Sequence, residues 1–318
     1  PLSMAELGQM EQLRPIFGPP EAAVPGQSVL KNREYVVTYG ARLRHLCRLI
    51  ERDRAPRCPA NGILLLLPLK GIGEPNMPLE RNQAALDTGV ICHADLTAIC
   101  EVFRLHIPMI GLLCDLDRIA GSEEFLSRFS TGERAQSRIG QRAPLVPRFQ
   151  AARPGAADND RRRNMLDSLA AWVSGPMIMR WVYRSFKVES NVPPGLELAT
   201  VEKHNGKLFQ FFVDIDSRKQ GLALTLKETL IGPAEAARPL LPLLFGGLYM
   251  GWTGRHSAFY SAVLERLLDE EDNVRWSDEV FAEEGSLQRR VTWARIGLGG
   301  LILANILAIA GVVWIFNR

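Results

Sequence analysis

The alternation of apolar and polar residues changes period several times along the chain, and each change marks an element. From Asn32 to Asp53, Val36, Leu43, Leu46, Cys47 and Ile50 recur at helical spacing while Arg42, Arg44, Arg48 and Arg52 take the other face, which predicts a surface helix on a core. Pro56 and Pro59 end it. The run from Gly62 to Leu67 is continuously apolar between turn residues, as expected of a parallel strand buried on both faces. Leu79 to Leu105 reads as a long helix with Leu86, Val90, Leu96, Ile99, Cys100 and Phe103 inward, and Pro108 to Cys114 as a second buried strand. Strand, helix, strand at this spacing predicts a right-handed βαβ unit. A further helix is expected from Ser122, with Ser122 as its cap and Glu123 and Glu124 in its first turn. Pro1 to Lys31 is rich in Pro and Gly and predicts an irregular loop with one short helix near Met4 to Leu13.

Ala143 to Asp160 is poor in order-promoting residues and marks a boundary, beyond which the pattern turns helical. Met165 to Phe186 reads as two helical segments broken at Gly175-Pro176, and Leu208 to Leu230 carries a helical stripe stopped by Gly232-Pro233. Leu244 to Met250 is expected to be extended and Ser257 to Leu268 helical. The last pattern is the longest: Ile296 to Phe316 is unbroken apolar sequence with Asn305 as its one polar side chain, and at 1.5 Å per residue it matches the ~30 Å hydrocarbon core of a bilayer. Buried core helices seldom run this long without a charge, so a membrane span is the expectation. Trp293 and Trp314 suit the interfacial aromatic belts, and Arg289, Arg290 and Arg295 precede the span while only Arg318 follows it, which places the preceding body in the cytoplasm. The expected organisation is an α/β domain with a parallel sheet over 1–145, a linker over 146–163, a helical subdomain over 164–290 and a single transmembrane helix over 293–316.

Composition narrows the picture. A 47% hydrophobic, 23% charged chain of 318 residues is an ordinary globular body, and a net charge of +3 is too small to argue for a nucleic-acid partner. Arg161, Arg162 and Arg163 sit in the polar linker, where the expected state is a solvated loop or a contact with anionic lipid headgroups. Five cysteines without a C-x-x-C pair fit a reducing compartment. The chain opens at Pro1 in what reads as the middle of a domain, so the expectation is that an N-terminal portion is missing.

Chemistry is sparse. There is no G-x-x-x-x-G-K-[ST] phosphate loop: Gly206-Lys207 lacks the earlier glycine and the following hydroxyl, and Gly71-x-Gly73 follows a strand without opening a helix. Cys92-His93 with Cys100 does not give the two-pair spacing of a zinc site, so no metal is expected, and no G-x-S-x-G element points to a hydrolase. Asp115 and Asp117 close the second strand, where open parallel sheets hold ligands. They read as a carboxylate pair for acid–base work or Mg²⁺, or as loop-capping groups, the second being favoured because no nucleophile or histidine is near in sequence.

Several ordered motifs then resemble one family. Arg54 to Leu67 (RAPRCPANGILLLL) is similar to the R-P-R-x-P-x-N-G-[VI]-[IL] strand entry of the IcmF/TssM proteins of type VI secretion, and Cys114 to Phe125 (CDLDRIAGSEEF) to their T-K-x-D-L-L-x-G-F-x-E-F loop. Leu244 to Met250 resembles the L-R-G-x-Y-F segment, and Phe259 to Val274 the helix preceding that family's third transmembrane helix, which is where the span at Ile296 falls. The resemblance implies a partial GTPase-like parallel sheet domain, a helical subdomain and a C-terminal membrane anchor, with Trp293, Arg295, Asn305 and Trp314 as anchor residues. It places Asp117 on the base-reading aspartate of the guanine loop, with Cys114 and Asp115 where the family has Thr-Lys. An acid thus replaces the lysine that packs along a guanine ring, and the family's phosphate loop belongs upstream of these residues. The implied role is a structural, single-pass subunit of the bacterial inner membrane with nucleotide binding lost and no cofactor. Its implied partners are membrane-complex and baseplate-type secretion proteins, the lipid bilayer and further copies of itself. The alternatives are a membrane-tethered GTPase using GTP through an upstream phosphate loop, and a generic membrane-anchored adaptor.

Overall fold

The computed structural model describes residues 28–142, 156–186, 198–232, 243–252 and 257–316. The expected short helix near Met4 to Leu13 lies outside them. Helix α1 (Ser28–Arg54) leads to strand β1 (Ile63–Pro68), helix α2 (Gln83–Phe103) and strand β2 (Leu105–Cys114). Strands β1 and β2 pair in parallel from Ile63 opposite Met109 to Pro68 opposite Cys114, as the βαβ pattern requires. Helix α2 starts four residues later than the periodicity alone suggests, because Leu79–Arg81 forms a separate 3-10 turn and Asn82 then caps the helix by accepting from the Ala85 N–H.

Two short helices, α3 (Ser122–Leu126) and α4 (Thr131–Gln136), and the edge strand β3 (Ile139–Arg142) follow. Helices α5 (Ala156–Trp172) and α6 (Ile178–Ser185) are joined through the π-helical turn Val173–Met177, so Pro176 widens one turn of a continuing helix where a break was expected. Helix α5 begins inside the stretch read as linker, and Arg162 is buried there, which corrects the solvated reading of that arginine. Helices α7 (Leu198–Asp216) and α8 (Lys219–Leu230) complete the helical part.

Strand β4 (Leu243–Met250) then returns to the sheet, running parallel to β2 and antiparallel to β3, so a segment assigned by sequence to the helical subdomain is part of the sheet. The order is β1-β2-β4-β3. Helix α9 (Ser261–Leu268) lies on the sheet, strand β5 (Arg275–Trp276) pairs antiparallel with the start of β2, and helix α10 runs from Asp278 to Phe316.

The core divides by strand parity. Leu65, Leu67, Ile107, Met109 and Leu113 face the main core with α2, α5, α7 and α8, whereas Leu64, Ile110, Leu112 and Tyr249 meet Val263 and Leu267 of α9 on the other face. All ten residues of β2 are buried. Strand β1 is not buried on both faces as its composition suggests: it is the sheet edge, and Leu66 is 52% exposed on the α9 side. Across the main core the helices lie in the order α1, α2, α8, α5, each packed on the next.

Candidate functional site

The carboxyl end of β2 is where the sequence places its candidate residues. Cys114 is buried, and burial together with the carboxylates of Asp115 and Asp117 pushes its thiol up to about 11. It is a neutral packing group, not a nucleophile. Asp115 takes a left-handed conformation (φ 62°) and opens a 3-10 turn, Leu116–Arg118, without any capping bond from its side chain. The two aspartates therefore do not share a face of an extended segment. Asp115 is half-buried, and Asp117 is exposed with no hydrogen bond or ion pair among the described residues. Buried Leu116 and Ile119 anchor the turn between and beyond them.

Behind this turn the backbone is tightly held. Gly121 has φ +83°, and a Cβ there would stand 2.0 Å from the Lys207 carbonyl oxygen, so α7 packs directly on the loop. Lys207 also pairs with Glu124. Gly121, rather than Ser122, occupies the cap position of α3; the Ser122 hydroxyl instead accepts a 2.6 Å hydrogen bond from the Trp252 indole. Trp252 is fully buried against Phe125 (5.6 Å, 17°), Phe211 and Phe259, an aromatic cluster that joins the end of β2 to the end of β4. Sequence reasoning missed this cluster because Trp252 stands among Gly and polar residues with no periodic pattern to flag it.

The carboxyl end of β1 is closed by the chain itself. Asn82 donates to the Ile72 carbonyl (3.1 Å) while capping α2, and Arg218 donates to the Gly73 carbonyl and pairs with Asp214. The start of α8 presses on the same turn: a Cβ on Gly221 would stand 1.9 Å from the Ile72 oxygen. Among the described residues no glycine-lined cradle opens here, and no group of three His, Cys, Asp or Glu side chains is placed to hold a metal.

At the amino end of β2, α10 is rooted by the Ser277 N–H on the Arg104 carbonyl (2.9 Å) and by the Arg104–Glu283 ion pair (2.8 Å). Beyond that root it leaves the body: Trp293, Arg295 and Ile296 to Ile302 are all exposed. Among the described residues no helix is long and apolar enough to cross a membrane. The backbone of α10 continues as helix through the apolar run to Phe316, but the side chains of 303–316, with Asn305 and Trp314, lie outside the described residues.

A profile of the IcmF-related N-terminal domain matches residues 39–251, two thirds of the chain, from α1 to the residue after β4. The chain belongs to the IcmF-related family. The match spans strands β1 to β4, helices α2 to α8 and the β2 corner, and it agrees with the IcmF/TssM resemblance of the ordered motifs, so this is an IcmF-family protein associated with type VI secretion. No curated protein and no solved structure matches the chain.

Proposed function

We propose that this IcmF-family chain is a structural subunit of a type VI secretion membrane complex, in which a GTPase-like sheet domain docks cytoplasmic partners and no longer handles nucleotide. One observation carries the reading: the carboxyl edge of the sheet, where a nucleotide would lie, is occupied by Arg218, Asn82 and the start of α8 at β1 and offers Asp115 in place of lysine at β2. An aspartate accepts from a guanine ring while a lysine stem covers it; Asp117 has the first property and nothing beside it has the second. Ile296 to Phe316 serves as a single span in the inner membrane with the body in the cytoplasm, in keeping with the arginines that precede it. Self-association of these subunits is in keeping with the sequence of the span, since an Asn such as Asn305 in an otherwise apolar helix hydrogen-bonds readily across helices.

Asp117, exposed and without an ion pair among the described residues, is the observation in favour of the rival, a tethered GTPase. Calorimetric titration of the full chain with GTP and Mg²⁺ separates the two. The structural subunit gives no heat of binding. Micromolar binding that disappears on Asp117→Ala overturns this reading in favour of the GTPase.

A further inference from the structure

Helix α1 carries a charge imbalance larger than that of the whole molecule. From Ser28 to Arg54 lie Lys31 and six arginines against Glu34, Glu51 and Asp53, net +4 with His45 neutral, while the entire chain is only +3. The excess is concentrated on one face. Cys47 and the partly buried Leu43 and Ile50 point to the core, and Arg42, His45, Arg48 and Arg52, at spacings of three, three and four, fall on the exposed opposite side. Within the described residues this face is little neutralised: Arg52 meets only its neighbour Asp53, both exposed, and Arg42 lies over the Tyr39 ring at 5.5 Å. The inward-leaning Arg44 pairs with Glu101 instead.

That last contact fixes where the face sits. Glu101 and Arg104 are one turn apart at the end of α2; Arg44 holds the first and Glu283 of α10 the second. The basic face therefore flanks the root of α10. From Glu283 to Ile296 is 13 residues, about 20 Å of helix, and the last part carries Arg289, Arg290 and Arg295. Headgroups extend about 5–7 Å beyond the hydrocarbon core and attract clustered arginines within about a further Debye length of 8–10 Å, so a tilt of α10 of roughly 30–40° brings its root within reach.

We propose that the Arg42, His45, Arg48 and Arg52 face of α1 is a docking surface for anionic lipid headgroups, which lays the body against the bilayer that α10 enters. This rests on the reading of α10 as an anchor, and the experiment keeps the two apart. The full chain is incubated with vesicles of phosphatidylcholine alone or with about one third phosphatidylglycerol, recovered by flotation and footprinted with phenylglyoxal at each arginine by mass spectrometry. Flotation with the neutral vesicles reports the anchor. The face is reported by modification of Arg42, Arg48 and Arg52, expected to slow several-fold with the anionic vesicles, to recover in ~0.5 M salt, and to leave Arg161 unchanged three helices away on α5. Equal modification of the three arginines on both vesicles at low salt overturns the proposal, as does protection by duplex DNA but not by vesicles. If the chain does not float with neutral vesicles, the anchor reading fails, and flotation with anionic vesicles alone then decides the face. It is expected for the native chain and expected to fall roughly a hundredfold in affinity in R42Q/R48Q/R52Q; its absence from the native chain overturns the proposal.

Discussion

At Gly121 two demands meet in one residue: a left-handed φ of +83° and an approach to the Lys207 carbonyl that leaves no room for a Cβ. Gly121→Ala is expected to cost about 3 kcal/mol or more, because neither the helix backbone nor the turn can yield without the other, and urea unfolding of the variant measures it. The buried and half-buried thiols carry a different signature. Burial raises Cys92 and Cys114 to about 11 and Cys100 to about 12 from an ordinary value of 9.0. Folding therefore holds these protons more tightly than the unfolded chain does. That stability is fully present below pH 9 and is lost as pH rises through 11 to 12. The expected outcome is a midpoint of chemical unfolding that is flat across pH 7 to 8.5 as far as these groups are concerned and falls above 9. A Cys100→Ala variant should show less of that fall.

Strand β1 shows how position in the sheet, and not composition, sets the worth of a residue. Leu66 and Leu67 are identical in sequence terms, yet Leu67 is fully buried in the main core and Leu66 is half-open at the edge. Leu67→Ala is expected to destabilise by about 2–5 kcal/mol and Leu66→Ala by less than about 1 kcal/mol, a contrast that thermal unfolding of the pair resolves. The same distinction explains which elements the sequence disclosed. β1, α2 and β2 were readable because long apolar runs and a 3.6-residue period are local signals, and β4 was readable as extended. Its place beside β2 was not, since pairing is decided by residues more than a hundred positions away. Strands β3 (IGQR) and β5 (RW) are too short and polar to announce themselves. Pro176 reads as a stop because it lacks an N–H, whereas one π-turn absorbs that loss without ending the helix.

For the molecule as a whole, the place of the candidate site was legible and its state was not. The end of β2 follows from strand order alone, but the 3-10 turn that separates Asp115 from Asp117 and the closure of the β1 end by Arg218 depend on how α7 and α8 fold back. Helix α10 adds a mechanical property to this arrangement. It holds 39 residues, about 58 Å, in a single ladder of backbone hydrogen bonds that starts at the sheet. Such a ladder resists torsion far better than a loop does, so turning the sheet about the helix axis turns the apolar end with it. The body sits on a drive shaft. Gly297, Gly299 and Gly300, with nothing packed beside them among the described residues, are the point where that shaft twists most easily, at the threshold of the apolar run.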